Sequence, residues 1–183
     1  MNALTLWILA TVIQLTSGTN TYRLRAETQE EMTARYTSIA EDLNAVLTSS
    51  EPLFPHDDNR VETAALVLSI VNYESGFVKS VDGGRNRGDK GHSWCLMQVN
   101  VGYGTLWYGT PEMRKWTGVD LISDRKKCFK AGLEALRISM TKCPAGPNGA
   151  LLNMYVSGKC EIPSLEAKRR WDLGRRLASR PFR

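Results

Sequence analysis

A mostly α-helical single domain carrying a small irregular or β flap is the fold class this sequence predicts, on three observations. Val61 to Tyr73 reads VETAALVLSIVNY, with apolar side chains spread round every face, and a helix apolar all round is a buried one. Flanking segments repeat apolar residues at three- and four-residue steps, the mark of amphipathic helices. Between them, Ser75 to Gly109 is rich in Gly, Asp, Asn and aromatics and lacks a helical period, and irregular stretches of that length in a compact domain are usually functional. At 183 residues the chain is long enough for one domain with a real core.

The elements follow in order. Leu4 to Leu15 reads LTLWILATVIQL without a charge, and Thr16, Ser17 and Gly18 come next. The run resembles a secretory leader cut near Gly18, so residues 1–18 are expected to be a signal peptide and 21–183 the folded domain. At about 18 Å as a helix it is too short to cross a bilayer comfortably. A buried N-terminal helix is the alternative. Thr21 to Thr48 places Met32, Tyr36, Ile39 and Leu43 on one face, with Arg35, Glu41 and Asp42 on others. Ser49 to Asn59 holds Pro52 and Pro55 and reads as a connector.

After the buried helix, Phe77–Val81 and Cys95–Val101 read as short β-like runs. Asp124 is a candidate N-cap for a helix to about Lys142, which Pro144-Ala145-Gly146-Pro147 ends. A short helix is expected from Asn148 to Tyr155. Ser164 then opens a last basic helix to about Ser179.

Composition narrows the function classes. A net charge of +5 favours an anionic partner, whether nucleic acid, a membrane surface or a wall polymer. Nothing interleaves basic and aromatic residues on one element as a nucleic-acid reader would, so no nucleic acid is expected. The four cysteines, Cys95, Cys128, Cys143 and Cys160, are even in number and form no C-x-x-C pair. That pattern suits disulfides in an oxidising compartment better than zinc. Three pairings are open; the favoured one joins Cys143 to Cys160 across a short Pro- and Gly-bearing loop, leaving Cys95 for Cys128. His92 has no partner at metal-ligand spacing, and His56 is the only other histidine, so no metal or cofactor is expected.

The chemistry concentrates at the end of the buried helix. Glu74 sits on its last turn in Tyr73-Glu74-Ser75-Gly76-Phe77, with Gly76 as the stop. Apolar surroundings and the negative end of the helix dipole both disfavour the carboxylate and raise its pKa. A carboxyl that keeps its proton at neutral pH is what a general acid for glycoside cleavage needs.

Three pieces read together then carry a resemblance. They are Glu74-Ser75-Gly76-Phe77, then the segment Gly88 to Asn100, in which Gly88-Asp89 precedes Leu96-Met97-Gln98-Val99-Asn100, then Met154-Tyr155-Val156-Ser157-Gly158. The set resembles the lysozyme superfamily, in particular goose-type lysozymes and soluble lytic transglycosylases, over about Val61 to Gly158. The resemblance implies an α+β lysozyme-like fold around the catalytic helix. It also implies cleavage of the β-1,4 bond between N-acetylmuramic acid and N-acetylglucosamine in peptidoglycan strands by a secreted or periplasmic monomer with no membrane span. Glu74 would be the acid and Asp89 the residue that positions water or a sugar; a turn aspartate bonded to its own backbone is the plainer reading of Asp89. Ser75, Met97, Gln98, Asn100 and Tyr155 would line the substrate, although Gln98 could equally serve to satisfy buried backbone and a helical tyrosine such as Tyr155 is most often core. Trp94, Tyr103, Trp107 and Tyr108 are either core residues or, as their polar-loop setting suits, faces for stacking on sugar rings.

Two departures shape the expected product. Cys95 stands where the family has Gly, and Asn100 where goose-type enzymes carry a second Asp. Asn cannot act as a base, which tilts the expectation toward the 1,6-anhydro product of a lytic transglycosylase over hydrolysis. Rival readings are a wall-binding protein without turnover and a chitin- or chitosan-cleaving enzyme. Arg169, Arg170, Arg175 and Arg176 read as a solvated helix face, or as a dock for anionic wall polymer.

Overall fold

The computed structural model describes residues 1–17, 27–144, 146–161 and 164–181. It is mostly helical with one small antiparallel sheet. The N-terminal apolar run forms α1 (Ala3–Ser17), whose Leu4, Trp7, Ile8 and Val12 pack into the common core. α2 (Gln29–Ser49) starts later than the periodicity alone suggests, because Thr28 and Glu31 form a reciprocal capping box. Residues 18–26, where the expected leader cut and helix start fall, lie outside the described residues. α2 buries Tyr36, Ile39, Leu43 and Leu47.

α3 (Val61–Glu74) is the central helix, with buried residues on every face from Val61 to Val71. Burying each Leu or Ile here contributes about 1.5–3 kcal/mol. Its own N-cap residue, Arg60, makes no capping bond; buried Asp57 accepts from the Glu62 and Thr63 amides at 3.0 and 2.8 Å instead. At the other end Gly76 and Phe77 both take positive φ, at 56° and 58°, and turn the chain sharply. Arg35 holds the Phe77 carbonyl at 2.8 Å.

That turn overrides the β-like pattern of Phe77–Val81. The segment forms a short helix, α4 (Lys79–Asp82), because Val78 accepts from the Val81 and Asp82 amides as soon as the chain has reversed. The second β-like run also differs. β1 (Ser93–Trp94) and β2 (Val99–Asn100) pair antiparallel, with Ser93 opposite Asn100 and Trp94 opposite Val99. Cys95 and Gln98 have φ of 60° and 47°, so residues 95–98 make the bend of a hairpin rather than one strand.

A capping box of Thr117 and Asp120 opens α5 (Gly118–Ser123), an element that the sequence reading passes over. α6 (Arg125–Lys142) begins at Asp124, whose side chain accepts from the Lys126 amide as expected of the N-cap. Arg125 ties three elements by reaching Asp42 on α2 at 2.7 Å and Asp82 on α4 at 2.9 Å. The helix expected over Asn148–Tyr155 is divided into a 3₁₀ turn (Pro147–Leu152) and α7 (Asn153–Ser157). α8 (Leu165–Ala178) is capped by Ser164.

α8 lies antiparallel on α3. Gly174 sits against the Leu66 backbone, where a Cβ would be 3.3 Å from Leu66 Cα, and Ser69 Oγ donates to the Arg170 carbonyl at 2.6 Å. Moving along α3 toward its C-terminus is moving along α8 toward its N-terminus, so Arg170 meets the end of α3. Disulfides join Cys95 to Cys128 and Cys143 to Cys160, the pairing favoured from the sequence. Among the described residues no helix is long and apolar enough to cross a membrane.

Candidate active site

Glu74 closes α3 on the wall of an open cleft of about 710 Å³, a size within the usual range for ligand sites. The hairpin region contributes Gly88, Asp89, Ser93, Gln98 and Asn100 to the wall, and α7 contributes Tyr155. Only 19 % of the Glu74 side chain is exposed. Burial holds its carboxyl above the usual carboxylate range, and the negative charges of Asp89 and Glu166 push the same way. Arg170 opposes them without cancelling the effect of burial.

The arginine contact is asymmetric. Nε and Nη2 of Arg170 lie 3.1 and 3.0 Å from the same oxygen, Glu74 Oε1. Oε2 makes no hydrogen bond among the described residues. Arg170 is itself 9 % exposed at the side chain, and Nη1 is held by the Glu166 carbonyl at 2.9 Å and carboxylate at 3.1 Å. The solvated-face reading therefore fails for Arg170. Ala167, Arg170, Gly174 and Leu177 are the buried stripe of α8, and that helical spacing was the available signal.

Asp89 is in the cleft wall with φ 46°, and its Oδ2 accepts from Ser93 Oγ at 2.5 Å. Both ends of the Gln98 amide bond backbone: Oε1 accepts from the Gly88 amide at 2.8 Å and Nε2 donates to the Cys95 carbonyl at 2.9 Å. Of the two readings open for it, satisfaction of backbone is the one this geometry matches. Cys95 keeps the left-handed conformation a glycine would take in that place, with its side chain tied to Cys128 on α6.

Tyr155 donates to the Met97 carbonyl at 2.7 Å rather than to Glu74. Burial raises its phenol well above the ordinary value, so it stays a neutral donor. Met97 contributes that carbonyl; its side chain is buried against Gly132. Ser75 is buried and bonds back to the Val71 carbonyl at 3.0 Å, which fixes the helix end and not a ligand. Asn100 reaches the cleft while its Oδ1 accepts from the Gly102 amide at 2.9 Å.

The aromatics separate. Trp107 and Tyr108 line the cleft, ring against ring edge-on at 5.1 Å, and Tyr108 is anchored through the Ala131 carbonyl at 3.1 Å. Trp107 is 63 % exposed and so offers a face to a ligand. Trp94 lies elsewhere, under the Arg87 guanidinium at 3.8 Å and against Gly118. Tyr103 is fully exposed and does not line the cleft. Among the described residues, no group of three or more His, Cys, Asp or Glu side chains converges as a metal site would require.

The site as built can hold one proton on a largely buried carboxyl in the wall of an open cleft. Comparison with family models, curated proteins and solved structures found no match to this chain.

Proposed function

We propose that this protein is a peptidoglycan-cleaving glycosidase with Glu74 as general acid. One observation carries the reading: a carboxyl raised by burial, with one oxygen unengaged, stands in the wall of an open cleft edged by Asp89, Tyr155 and an exposed tryptophan. The neutral acid donates its proton to the glycosidic oxygen as the bond from the muramyl C1 breaks, and positive charge develops on that ring. Glu74, now a carboxylate, takes the proton of the muramyl 6-hydroxyl, and O6 closes on C1. The products are a 1,6-anhydro end and a free 4-hydroxyl, so the reaction is non-hydrolytic.

Two features support this product. Asn100 is an amide engaged with Gly102 and cannot act as a base, and Asp89 has one of its two oxygens, Oδ2, engaged with Ser93. Hydrolysis is the second reading, favoured by the position of Asp89 on the cleft wall, where its other oxygen would hold a water. Two disulfides suit an extracytoplasmic setting, secreted or periplasmic, with glycan strands as partner and the monomer as acting form. Mass spectrometry of soluble products from purified wall sacculi tests the reading. Muropeptides lighter by one water than the hydrolytic products are expected. Binding to sacculi without release would overturn it in favour of a non-catalytic wall binder.

A further inference from the structure

One cation stands between two carboxylates at the end of α3. Arg170 donates to Glu74 from Nε and to Glu166 from Nη1, and Nη2 lies 3.0 Å from the same Glu74 oxygen, so all three guanidinium nitrogens stand against carboxylates. Its backbone carbonyl is pinned by Ser69 of α3 and its ring-facing side lies over Tyr73 at 5.2 Å. A planar fork held at so many points has little freedom to swing.

We infer that Arg170, braced by Glu166, is a positioning residue that fixes Oε1 of Glu74 and thereby dedicates Oε2 to proton donation in the cleft. The guanidinium on Oε1 disfavours a proton there, because that oxygen already accepts the Nε–H group and lies 3.0 Å from the second cationic nitrogen, Nη2. The proton is left to the oxygen without a partner. A carboxyl whose two oxygens were equally free would present the proton in the wrong direction for part of the time.

The same arrangement sets the pH limb of activity. Groups facing Glu74 come from every packed element: Arg170 and Glu166 from α8, Asp89 from the hairpin region and Tyr155 from α7. Tyr155 is neutral throughout the working range, which leaves one cation and two anions. The cation favours the ionised Glu74 and the anions disfavour it. Loss of Arg170 therefore moves the alkaline limb to higher pH, whereas loss of the Glu166 charge moves it to lower pH.

This inference rests on the general-acid reading, and two readouts keep them apart. Carboxyl-carbon NMR titration of Glu74 in the full chain, compared with Arg170→Gln, Arg170→Lys and Glu166→Gln, needs no substrate. The Gln variant at 170 should titrate higher than the parent, the Lys variant between them, and Glu166→Gln lower. Turnover of sacculi should fall roughly tenfold in Arg170→Gln and recover partly in Arg170→Lys. Unmoved titration in both Arg170→Gln and Glu166→Gln would overturn the positioning role, whatever the activity. Shifted titration with no turnover in the parent protein would leave the clamp standing and overturn the enzyme reading. Should Arg170→Gln fail to fold, Glu166→Gln alone decides, since its side chain is about half exposed and its downward shift has no structural substitute.

Discussion

The Gly88 amide donates to Gln98 Oε1 at 2.8 Å, and a Cβ on Gly88 would stand 2.6 Å from that same oxygen. The nine residues between them are closed into a loop by this contact, and Asp89 is carried on it. Only glycine allows the approach, because any side chain occupies the space of the acceptor. Gly88→Ala is expected to destabilise by about 1–3 kcal/mol through overpacking and to displace Asp89 from the cleft. Denaturant melts and turnover measured on the same variant check both effects.

Tyr155 is expected to act through the Met97 carbonyl. Tyr155→Phe leaves that carbonyl without its donor, at a cost of about 1–3 kcal/mol. Turnover at a temperature well below the melt should fall only a few-fold, since the hydroxyl does not touch Glu74. A loss of about 10³-fold at full foldedness would show the phenol in the chemistry instead.

Glu74→Gln should keep the fold and abolish turnover. The pH dependence of stability gives a second check. Glu74 has its folded pKa raised, so its contribution to stability is fully present below the ordinary glutamate value. That contribution is lost as pH rises through the raised folded value. The parent protein should therefore lose stability across this window relative to Glu74→Gln, read as the difference between their urea midpoints at each pH.

The two disulfides should separate by function. Closing loops of 17 and 33 residues is worth about 3 and about 4 kcal/mol respectively in the chain-entropy account. Cys143→Ala with Cys160→Ala should lower the melting temperature and leave turnover nearly unchanged below it. Cys95→Ala with Cys128→Ala should lower both, because Cys95 sits at φ 60° in the bend that carries Gln98. Equal effects on activity from the two pairs would count against the bend as part of the site.

Gly132 packs on Met97, with a Cβ there only 2.1 Å from the sulfur. Gly132→Ala should force that side chain aside, destabilise by about 1–3 kcal/mol and loosen the Met97 carbonyl that holds Tyr155. Thermal melts of the single variant and of its combination with Tyr155→Phe should show less than additive losses.

Helix identity was legible wherever the signal was local. The apolar run of α3, the N-caps Asp124 and Ser164 and the stop at Gly76 depend on neighbours within one or two turns, and the structure has each in place. The position of Glu74 followed from the same local text. Phe77–Val81 forms no strand and Cys95–Val101 is a strand only at Val99–Asn100, because positive φ at Phe77, Cys95 and Gln98 runs against what these residue types ordinarily adopt. A disulfide and long-range hydrogen bonds compensate there, and neither is visible in a short window.

The amino-acid order by itself determined a buried helix ending in an acid, an even set of four cysteines and a glycine-rich stretch after the helix. Tertiary structure alone decided which arginine faces that acid, that the glutamine serves backbone, and that two of the chosen aromatics lie away from the cleft. The reason is physical: helix caps and apolar periodicity are set by contacts a few residues apart, where bonding geometry fixes the partners. The positive charge beside Glu74 comes from a residue 96 positions away, brought close by the packing of α8 on α3, where Gly174 lies against Leu66.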